Sequence, residues 1–171
     1  MEHRFRLRAL TLAISSALIL SACGGNGKHD SQLSGIAAEG LAIANKTITA
    51  KDTSGRTLTA TTDANGNYAL NVSGLTYPLM LQVTGDKGIW HALVTVEDAD
   101  KPVNINNATN SIALLALGAN SDADLQAAFR SANFMGISAA TLLSADNKLL
   151  DTLQTELGKR PASLRSATFT P

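Results

Sequence analysis

The strongest constraint on the fold lies between residues 32 and 107, where short segments alternate apolar with polar residues. A repeat of two residues places successive side chains on opposite faces of an extended chain, so each segment predicts a strand with one buried face. Within Leu79–Thr84, for example, Leu79, Leu81 and Val83 share a face. Clusters of Gly, Asn and Asp separate the segments and predict turns. This region is therefore predicted to be all β.

About seven such segments can be counted, which is the number expected of a small immunoglobulin-like β-sandwich. They are Gln32–Ala38, Lys46–Lys51, Arg56–Thr62, Asn67–Val72, Leu79–Thr84, Ile89–Val96 and Val103–Ile105. Aromatic residues make up only 4% of the chain, so the core is expected to be aliphatic. Gln32–Ala38 and Leu79–Thr84 are candidate edge strands, whose unpaired backbone groups would invite strand addition from a partner.

The clearest turn in this region is Asp63–Gly66, which separates Arg56–Thr62 from Asn67–Val72. Its Asn-Gly pair tolerates the positive φ that a tight hairpin requires. The pattern predicts that the two flanking segments pair as a hairpin. It also predicts that Tyr68 and Val72 share one face of the second strand.

Residues 61–68 read Thr-Thr-Asp-Ala-Asn-Gly-Asn-Tyr. With residues 40–55 before them, they resemble the carboxypeptidase regulatory-like domain, a transthyretin-type sandwich that carries a Thr-Thr-Asp-x-x-Gly-x-Tyr segment. The residues that carry the motif are Thr62, Asp63, Gly66 and Tyr68. The resemblance implies a sandwich fold and an accessory module in which no catalytic residues are defined.

The first half of the same stretch departs from the family pattern. Ala42 stands where Pro is usual, Asn45 where Gly is usual and Lys46 where Ala is usual. Asn is the next best residue for a left-handed backbone position, so the path of the chain is expected to survive the change at Asn45.

After Asn110 the apolar spacing becomes helical and predicts helices over Ser111–Leu117, Ala123–Ala132 and Ser138–Leu157. Ser138 is expected to cap the last helix and Gly158 to end it. This helix carries a continuous apolar stripe, which we expect to pack against the domain or a neighbouring helix. The stripe is formed by Leu142, Ala145, Leu149, Leu150, Leu153 and Leu157.

Residues 1–22 have the layout of a secretory signal. Arg4, Arg6 and Arg8 form a cationic start, and the apolar run Ala9–Leu20 follows. A run of twelve residues is short against the roughly 20 that a helix needs to cross a bilayer. We therefore expect a cleaved export signal instead of a membrane span.

The end of this signal is more specific than an ordinary cleavage site. Leu20, Ser21, Ala22 and Cys23 resemble the bacterial lipobox, in which the Cys is acylated by palmitate-type lipid and becomes the first mature residue. Cys23 is the only cysteine in the chain. Two or three acyl chains would anchor a protein stably to a membrane. Gly24 follows the Cys instead of Asp, which in Gram-negative lipoproteins favours the outer membrane.

The sequence thus divides into five expected parts. They are a lipoprotein signal peptide (1–22), a flexible tether (23–31), a carboxypeptidase regulatory-like β-sandwich (32–107), a helical segment (108–160) and a loose tail (161–171). The layout is also similar to proteobacterial lipoproteins of unknown role in which a lipobox, this sandwich and a helical tail follow one another.

Charge and catalytic motifs narrow the function classes. The formal net charge is zero and no Lys/Arg stripe is present, so nucleic acid is not an expected partner. A Ser-His-Asp site would have to use His91, yet the chain has neither a Gly-x-Ser-x-Gly elbow nor a Ser-x-x-Lys pair. We expect His91 to face solvent or to be hydrogen-bonded at the rim of the sandwich.

Metal and cofactor motifs are also missing from the sequence. Asp63, Asn65 and Asn67 fall at the first three ligand spacings of an EF-hand loop, but the glycine at its sixth position and the glutamate at its twelfth are absent. A turn is the better account of these residues. Residues 97–100 are acidic and are interpreted as a solvated strand end. No metal or cofactor is therefore predicted.

The sequence therefore predicts a non-enzymatic, lipid-anchored envelope protein whose β-sandwich is a binding or structural module. Its expected partners are the membrane, through acylated Cys23, and a protein or glycan of the envelope. One alternative is a glycan-binding surface module, for which Trp90 and Tyr77 are the candidate stacking residues. A less favoured alternative is an envelope hydrolase that uses His91.

Overall fold

The computed structural model describes residues 32–158, which contain six strands and three α-helices. The strands are β1 (Gln32–Ile36), β2 (Thr47–Asp52), β3 (Thr57–Thr61), β4 (Asn67–Asn71), β5 (Leu79–Thr84) and β6 (Ile89–Val94). The helices are α1 (Asn107–Leu117), α2 (Asp122–Ser131) and α3 (Ala139–Leu157), and a 3-10 turn covers Val96–Asp98. None of the helices in this range is long and apolar enough to cross a membrane.

The strands form two antiparallel sheets. β1 pairs with β4 in the smaller sheet, and the larger sheet has the order β3-β2-β5-β6. Side chains from both sheets share one buried apolar cluster, in which Tyr68 is the only aromatic residue among the fully buried members. The cluster includes Leu33, Ile48, Leu70, Leu81, Val94 and Ile105. The prediction of a mainly β region with an aliphatic core, followed by helices, is confirmed.

The seventh predicted strand, Val103–Ile105, is not a strand in the structure. Its backbone runs beside β1 and forms hydrogen bonds of 2.8 to 2.9 Å with Ser34, Ile36 and Ala38. Only the pair Ala37 and Ile105 forms a bridge, in parallel orientation. Because α1 begins two residues after Ile105, the segment is too short to continue as a ladder.

The predicted hairpin around Asp63–Gly66 is wrong, although the turn itself is present. The carboxylate of Asp63 accepts hydrogen bonds from the backbone N–H of Asn65 and of Asn67, both at 2.8 Å, and Gly66 has a φ of 78°. The chain then crosses to the other sheet, so that β3 pairs with β2 while β4 pairs with β1. Turn residues reverse the chain, but longer-range burial decides which strands pair.

Both candidate edge strands were predicted to have a free edge, and this prediction is wrong for each of them. β5 lies in the middle of the larger sheet, between β2 and β6. β1 has β4 on one side and residues 103–105 along the other. β5 is central because it buries side chains on both faces, with Leu81 in the core between the sheets and Met80 against the helices.

The helices confirm the predicted positions with one extension. α1 begins at Asn107, earlier than expected, because the side chain of Asn106 accepts hydrogen bonds from the backbone N–H of Ala108 and of Thr109. The hydroxyl of Ser138 accepts from the N–H of Thr141 at 3.2 Å and caps α3. Gly158 ends α3 with a φ of 71°, as expected.

The helices cover the outer face of the four-stranded sheet. Met80 and Leu93 project from this face into a second buried cluster. The helical members of the cluster include Ile112, Leu125, Phe129, Phe134, Leu142 and Ala145. Leu142, Ala145 and Leu149 of the α3 stripe therefore pack against the domain, as predicted, and strands β5 and β6 have buried side chains on both faces of the sheet.

We predict that Gly35→Ala strongly destabilises the fold. A Cβ at Gly35 would overlap the carbonyl of Val103 and lie 3.2 Å from the ring of Tyr68. Overpacking of this kind costs about 1–3 kcal/mol of unfolding free energy, which urea denaturation measures. Gly136→Ala is the matched control, because a Cβ there meets no atom within 4 Å. Equal stability of the two variants would contradict the prediction.

Candidate functional site

The predicted anchoring residues lie outside the part of the chain that the structure describes. Leu20, Ser21, Ala22 and Cys23 all precede residue 32, as do the remaining residues of the expected tether. The expected tail at 161–171 lies beyond residue 158. Acylation of Cys23 accordingly stays a prediction.

Thr62 and Tyr68 of the motif-like segment stabilise the fold. The hydroxyl of Thr62 donates to the carbonyl of Ile43 at 2.6 Å and accepts from the backbone N–H of Lys46 at 2.9 Å. The phenol of Tyr68 donates to the carbonyl of Val103, and burial raises the pKa of this phenol. Both side chains are buried, so they stabilise the backbone instead of forming a surface for a ligand.

Of the two expectations for His91, the solvent-facing one is wrong, whereas the hydrogen-bonded one is confirmed, except that the ring lies in the interior and not at a rim. The His91 side chain is fully buried between the four-stranded sheet and α1. The backbone N–H of His91 donates to Oδ1 of Asn110 at 3.0 Å, and ring Nδ1 lies 3.0 Å from the same oxygen. Ring Nε2 lies 3.0 Å from the amide nitrogen of Gln82. This arrangement fits a neutral ring in which Nδ1 donates and Nε2 accepts.

The network around His91 also covers the outer edge of β6. The hydroxyl of Thr109 donates to the carbonyl of His91 at 3.2 Å, and the amide of Asn110 donates to Asp122 at 2.8 Å. Side chains of α1 thus satisfy both backbone groups of His91 that point away from β5. Both ring nitrogens face amides, so the geometry gives His91 a packing role.

Burial sets the protonation state of His91. Desolvation lowers the pKa of the imidazole, and this effect outweighs the hydrogen bond to Oδ1 of Asn110 and the charge of Asp122, which both raise it. A neutral imidazole also suits the tilted ring of Phe129, whose centroid lies 6.2 Å away.

The two candidate sugar-stacking residues lie apart. Trp90 pairs with Val83 near one end of the β5–β6 ladder, whereas Tyr77 precedes Leu79 at the other end. Both side chains are partly buried against the core between the sheets. The structure does not bring them together into one aromatic platform.

Glu39 positions the indole of Trp90, and no sequence pattern had indicated this contact. The Trp90 N–H donates to Oε2 of Glu39 at 2.9 Å, and the backbone N–H groups of Asp86 and Lys87 donate to the same carboxylate at 2.9 and 3.0 Å. Burial opposes ionisation of Glu39, but these hydrogen bonds outweigh it and lower the pKa. The cluster joins the β1–β2 loop to the β5–β6 turn.

Asp52 organises the β2–β3 turn in a similar way. Its fully buried side chain accepts from the hydroxyl of Ser54 at 2.6 Å and forms a 2.7 Å ion pair with Arg56. The backbone N–H of Thr76 also donates to it at 3.3 Å. Burial raises the pKa of Asp52, but the hydrogen bonds outweigh it and lower the value to about 2.

The carboxylates considered as metal ligands are occupied by local hydrogen bonds. Those of Asp63 hold its turn, and Asp98 accepts from both the N–H and the hydroxyl of Thr95 at 3.0 and 2.9 Å. Residues 97–100 are not the solvated strand end that was expected, because Asp98 is buried beneath the 3-10 turn. Within residues 32–158, no three His, Cys, Asp or Glu side chains form a metal cluster.

A cleft of about 210 Å³ lies between the end of β6, the 3-10 turn and helices α1 and α3. Most of its walls are apolar, from Ala92, Leu93, Pro102, Val103, Ile112 and Leu143. Its polar lining comes from Asp98, Lys101, Thr109 and Asp146. We name this space the Asp146 cleft.

Asp146 is the exceptional group of this cleft. Its side chain belongs to a residue that is only 6% exposed, and Oδ1 has no hydrogen-bond partner. The sequence carried a signal that our motif search missed. Asp146 lies four residues from Leu142 and four from Leu150, so a carboxylate interrupts a row of buried leucines.

No protein-family model matches this chain, and a search of curated proteins finds no match. The resemblance to the carboxypeptidase regulatory-like domain therefore stays a prediction, and the function rests on the residues themselves.

We predict that Asn110→Ala destabilises the domain by about 2 kcal/mol or more. The substitution leaves the backbone N–H and ring Nδ1 of His91 buried without an acceptor, and each such loss costs about 1–3 kcal/mol. Urea denaturation measures the change. Asn107→Ala, an exposed change on the same helix, is the control and should stay close to the parent. Similar losses in the two variants would contradict the packing role of Asn110.

We also predict a pH dependence that originates at His91. Its pKa in the folded protein lies below the unfolded value of about 6.5, so the unfolded state binds the proton first. The unfolding free energy should therefore fall as the pH drops from about 6.5 to about 5 and should be flat just above 6.5. Below about pH 5 the carboxylates of Asp52 and Glu39, whose pKa values are lowered in the fold, add a separate loss. Denaturation curves at several pH values measure this slope. His91→Gln should remove it, and an unchanged slope in that variant would contradict the assignment.

Proposed function

We propose that the chain is an exported lipoprotein in which acylated Cys23 anchors a non-catalytic binding domain to the outer membrane of a Gram-negative bacterium. The sole cysteine stands at the acylated position of the lipobox-like segment. Gln32, the first residue of β1, follows Cys23 by nine positions, and the intervening residues are largely glycine and polar residues. Such a composition suits a spacer between a membrane and a folded domain.

The described domain is in our proposal a transthyretin-type sandwich with helices added to one face. Two antiparallel sheets that share one buried cluster support this assignment. The burial of Thr62 and Tyr68 supports it further, because both residues of the family-like motif fasten loops that join the sheets.

A non-catalytic role is favoured by the way the reactive side chains are used. His91 faces two amides, and the carboxylates of Asp52, Asp63 and Asp98 hold turns. Each of these groups already stabilises the native backbone. The proposal therefore assigns them to the fold and not to chemistry.

The observation that favours binding over a purely structural role is the Asp146 cleft. It combines apolar walls with a buried carboxylate oxygen that has no partner in the domain. Concave, mainly apolar sites with a few polar groups are the usual form of ligand sites. We do not extend the proposal to glycans, because Trp90 and Tyr77 lie at opposite ends of one strand pair.

We predict that Cys23→Ser abolishes membrane anchoring. The full chain, expressed in a Gram-negative host, should yield a mature species that begins at Cys23, carries acyl mass and sediments with outer membranes. The variant should lack the acyl mass and the membrane association, because serine offers no thiol for the lipid. Intact mass spectrometry and membrane fractionation measure both properties.

Ser21→Ala is the matched control for this experiment, since it alters the same segment but keeps the thiol and a small side chain. It should remain acylated. An unacylated, soluble parent protein would overturn the anchoring proposal, as would a Cys23→Ser variant that is still tightly bound to membranes.

A further inference from the structure

We propose that the Asp146 cleft binds a small organic cation through its primary ammonium group. The inference rests on the binding role proposed above, but it is independent of acylation at Cys23. It assigns a ligand class to a site formed entirely by described residues of the domain.

The first observation is a buried carboxylate oxygen, Oδ1 of Asp146, that lacks a hydrogen-bond partner. Asp146 is 6% exposed, and its Oδ1 receives no hydrogen bond from the protein. A carboxylate oxygen that has left water without a donor destabilises the fold, unless a group from outside supplies the donor. An ammonium group offers three N–H donors and a compensating charge, so it would satisfy this oxygen directly.

The charged side chains that line the cleft are mainly acidic. Two carboxylates, Asp98 and Asp146, line the cleft together with one cation, Lys101. Asp98 already accepts hydrogen bonds from Thr95, whereas Oδ1 of Asp146 is available. The excess of negative charge favours a cationic ligand over an anionic one, and it assigns the principal contact to Asp146.

The volume of the cleft and its apolar walls suit a small ligand. A cleft of about 210 Å³ is smaller than the usual sites for drug-sized ligands, which begin near 300 Å³. Leu93 and Ile112 form a buried apolar wall, and Leu143 lines the same space while 58% exposed. A short alkyl chain would cover the exposed leucine as its ammonium reaches Asp146. The site thus fits an amine with an apolar body of about four or five carbon atoms.

The test is a ligand titration of the full chain that carries Cys23→Ser. Two-dimensional amide NMR spectra recorded at each ligand concentration are the readout. The probe is n-butylammonium chloride, with sodium chloride at equal ionic strength as the blank. We expect saturable shifts at the amides of Leu93, Thr109 and Ile112. 1-Butanol has the same shape without the charge, and butyrate carries the opposite charge, so both should bind at least about tenfold more weakly.

Asp146→Asn is the decisive variant because it keeps the shape and removes the charge. We expect it to weaken n-butylammonium binding by about tenfold or more. Asp151→Asn removes the same charge from an exposed position on the same helix and should leave the affinity unchanged. Equal binding by the parent and Asp146→Asn would overturn the proposal, as would tighter binding of butyrate than of n-butylammonium.

The melting temperature tests the proposal even if the titration does not reach saturation. Without ligand, Asp146→Asn should melt at the same temperature as the parent or a few degrees higher, since it removes the charge from a buried group whose Oδ1 lacks a partner. A large drop in melting temperature would show that the carboxylate serves the fold, and it would overturn the ligand assignment. Tighter binding of Nα-acetyl-lysine amide than of n-butylammonium would reassign the site to a lysine side chain of a protein partner.

Failure of this inference is distinguishable from failure of the proposed function. The titration uses the Cys23→Ser chain, so it does not depend on the membrane anchor. Absence of saturable shifts with n-butylammonium would overturn the ammonium site and leave the acylation experiment unaffected. An unacylated parent protein would overturn the anchor and leave the titration unaffected.

Discussion

The contact between the phenol of Tyr68 and the carbonyl of Val103 joins parts of the chain that are far apart in sequence. Tyr68 lies on β4, while Val103 lies in the segment that leads into α1. Gly35 of β1 leaves the space that this carbonyl occupies. Residues 103–105 are therefore held against the smaller sheet before the first helix begins. The helical layer follows from that point, so this contact and the backbone hydrogen bonds of residues 103–105 to the β1 segment together set where the layer begins.

From there the domain is organised around β5 and β6, whose side chains are buried on both faces of the larger sheet. Leu81 and Val94 face the smaller sheet, whereas Met80 and Leu93 face the helices. As a rule, polar side chains buried in this interior are hydrogen-bonded, as His91 is to Asn110. Asp146 departs from that rule, as does Tyr77, because each has a buried oxygen without a hydrogen-bond partner. Each such group in a native fold calls for an explanation, and for Asp146 the cleft beside it supplies one.

The sequence predicted well what depends on neighbours along the chain. Apolar spacing and capping residues such as Ser138 placed the helices, and period-two alternation placed six strands. The sequence did not predict which segments pair or pack when they lie far apart along the chain. The turn at Asp63–Gly66 is present, yet no local signal showed that β3 and β4 join different sheets. The burial of His91 depends on α1, which follows it by sixteen residues. The orphan oxygen of Asp146 likewise depends on how α3 lies against α1 and β6.

The way α1 covers the edge of β6 has a consequence for the motions of the domain. The backbone N–H of His91 is bonded to a side chain of the helical layer and not to a neighbouring strand. Its exchange with solvent hydrogen requires α1 to separate from the sheet, even if every strand stays paired. Amides inside the β5–β6 ladder exchange only when that ladder opens. The exchange rate at this single position therefore reports how often the helical layer lifts from the sheet while the sheet itself remains intact.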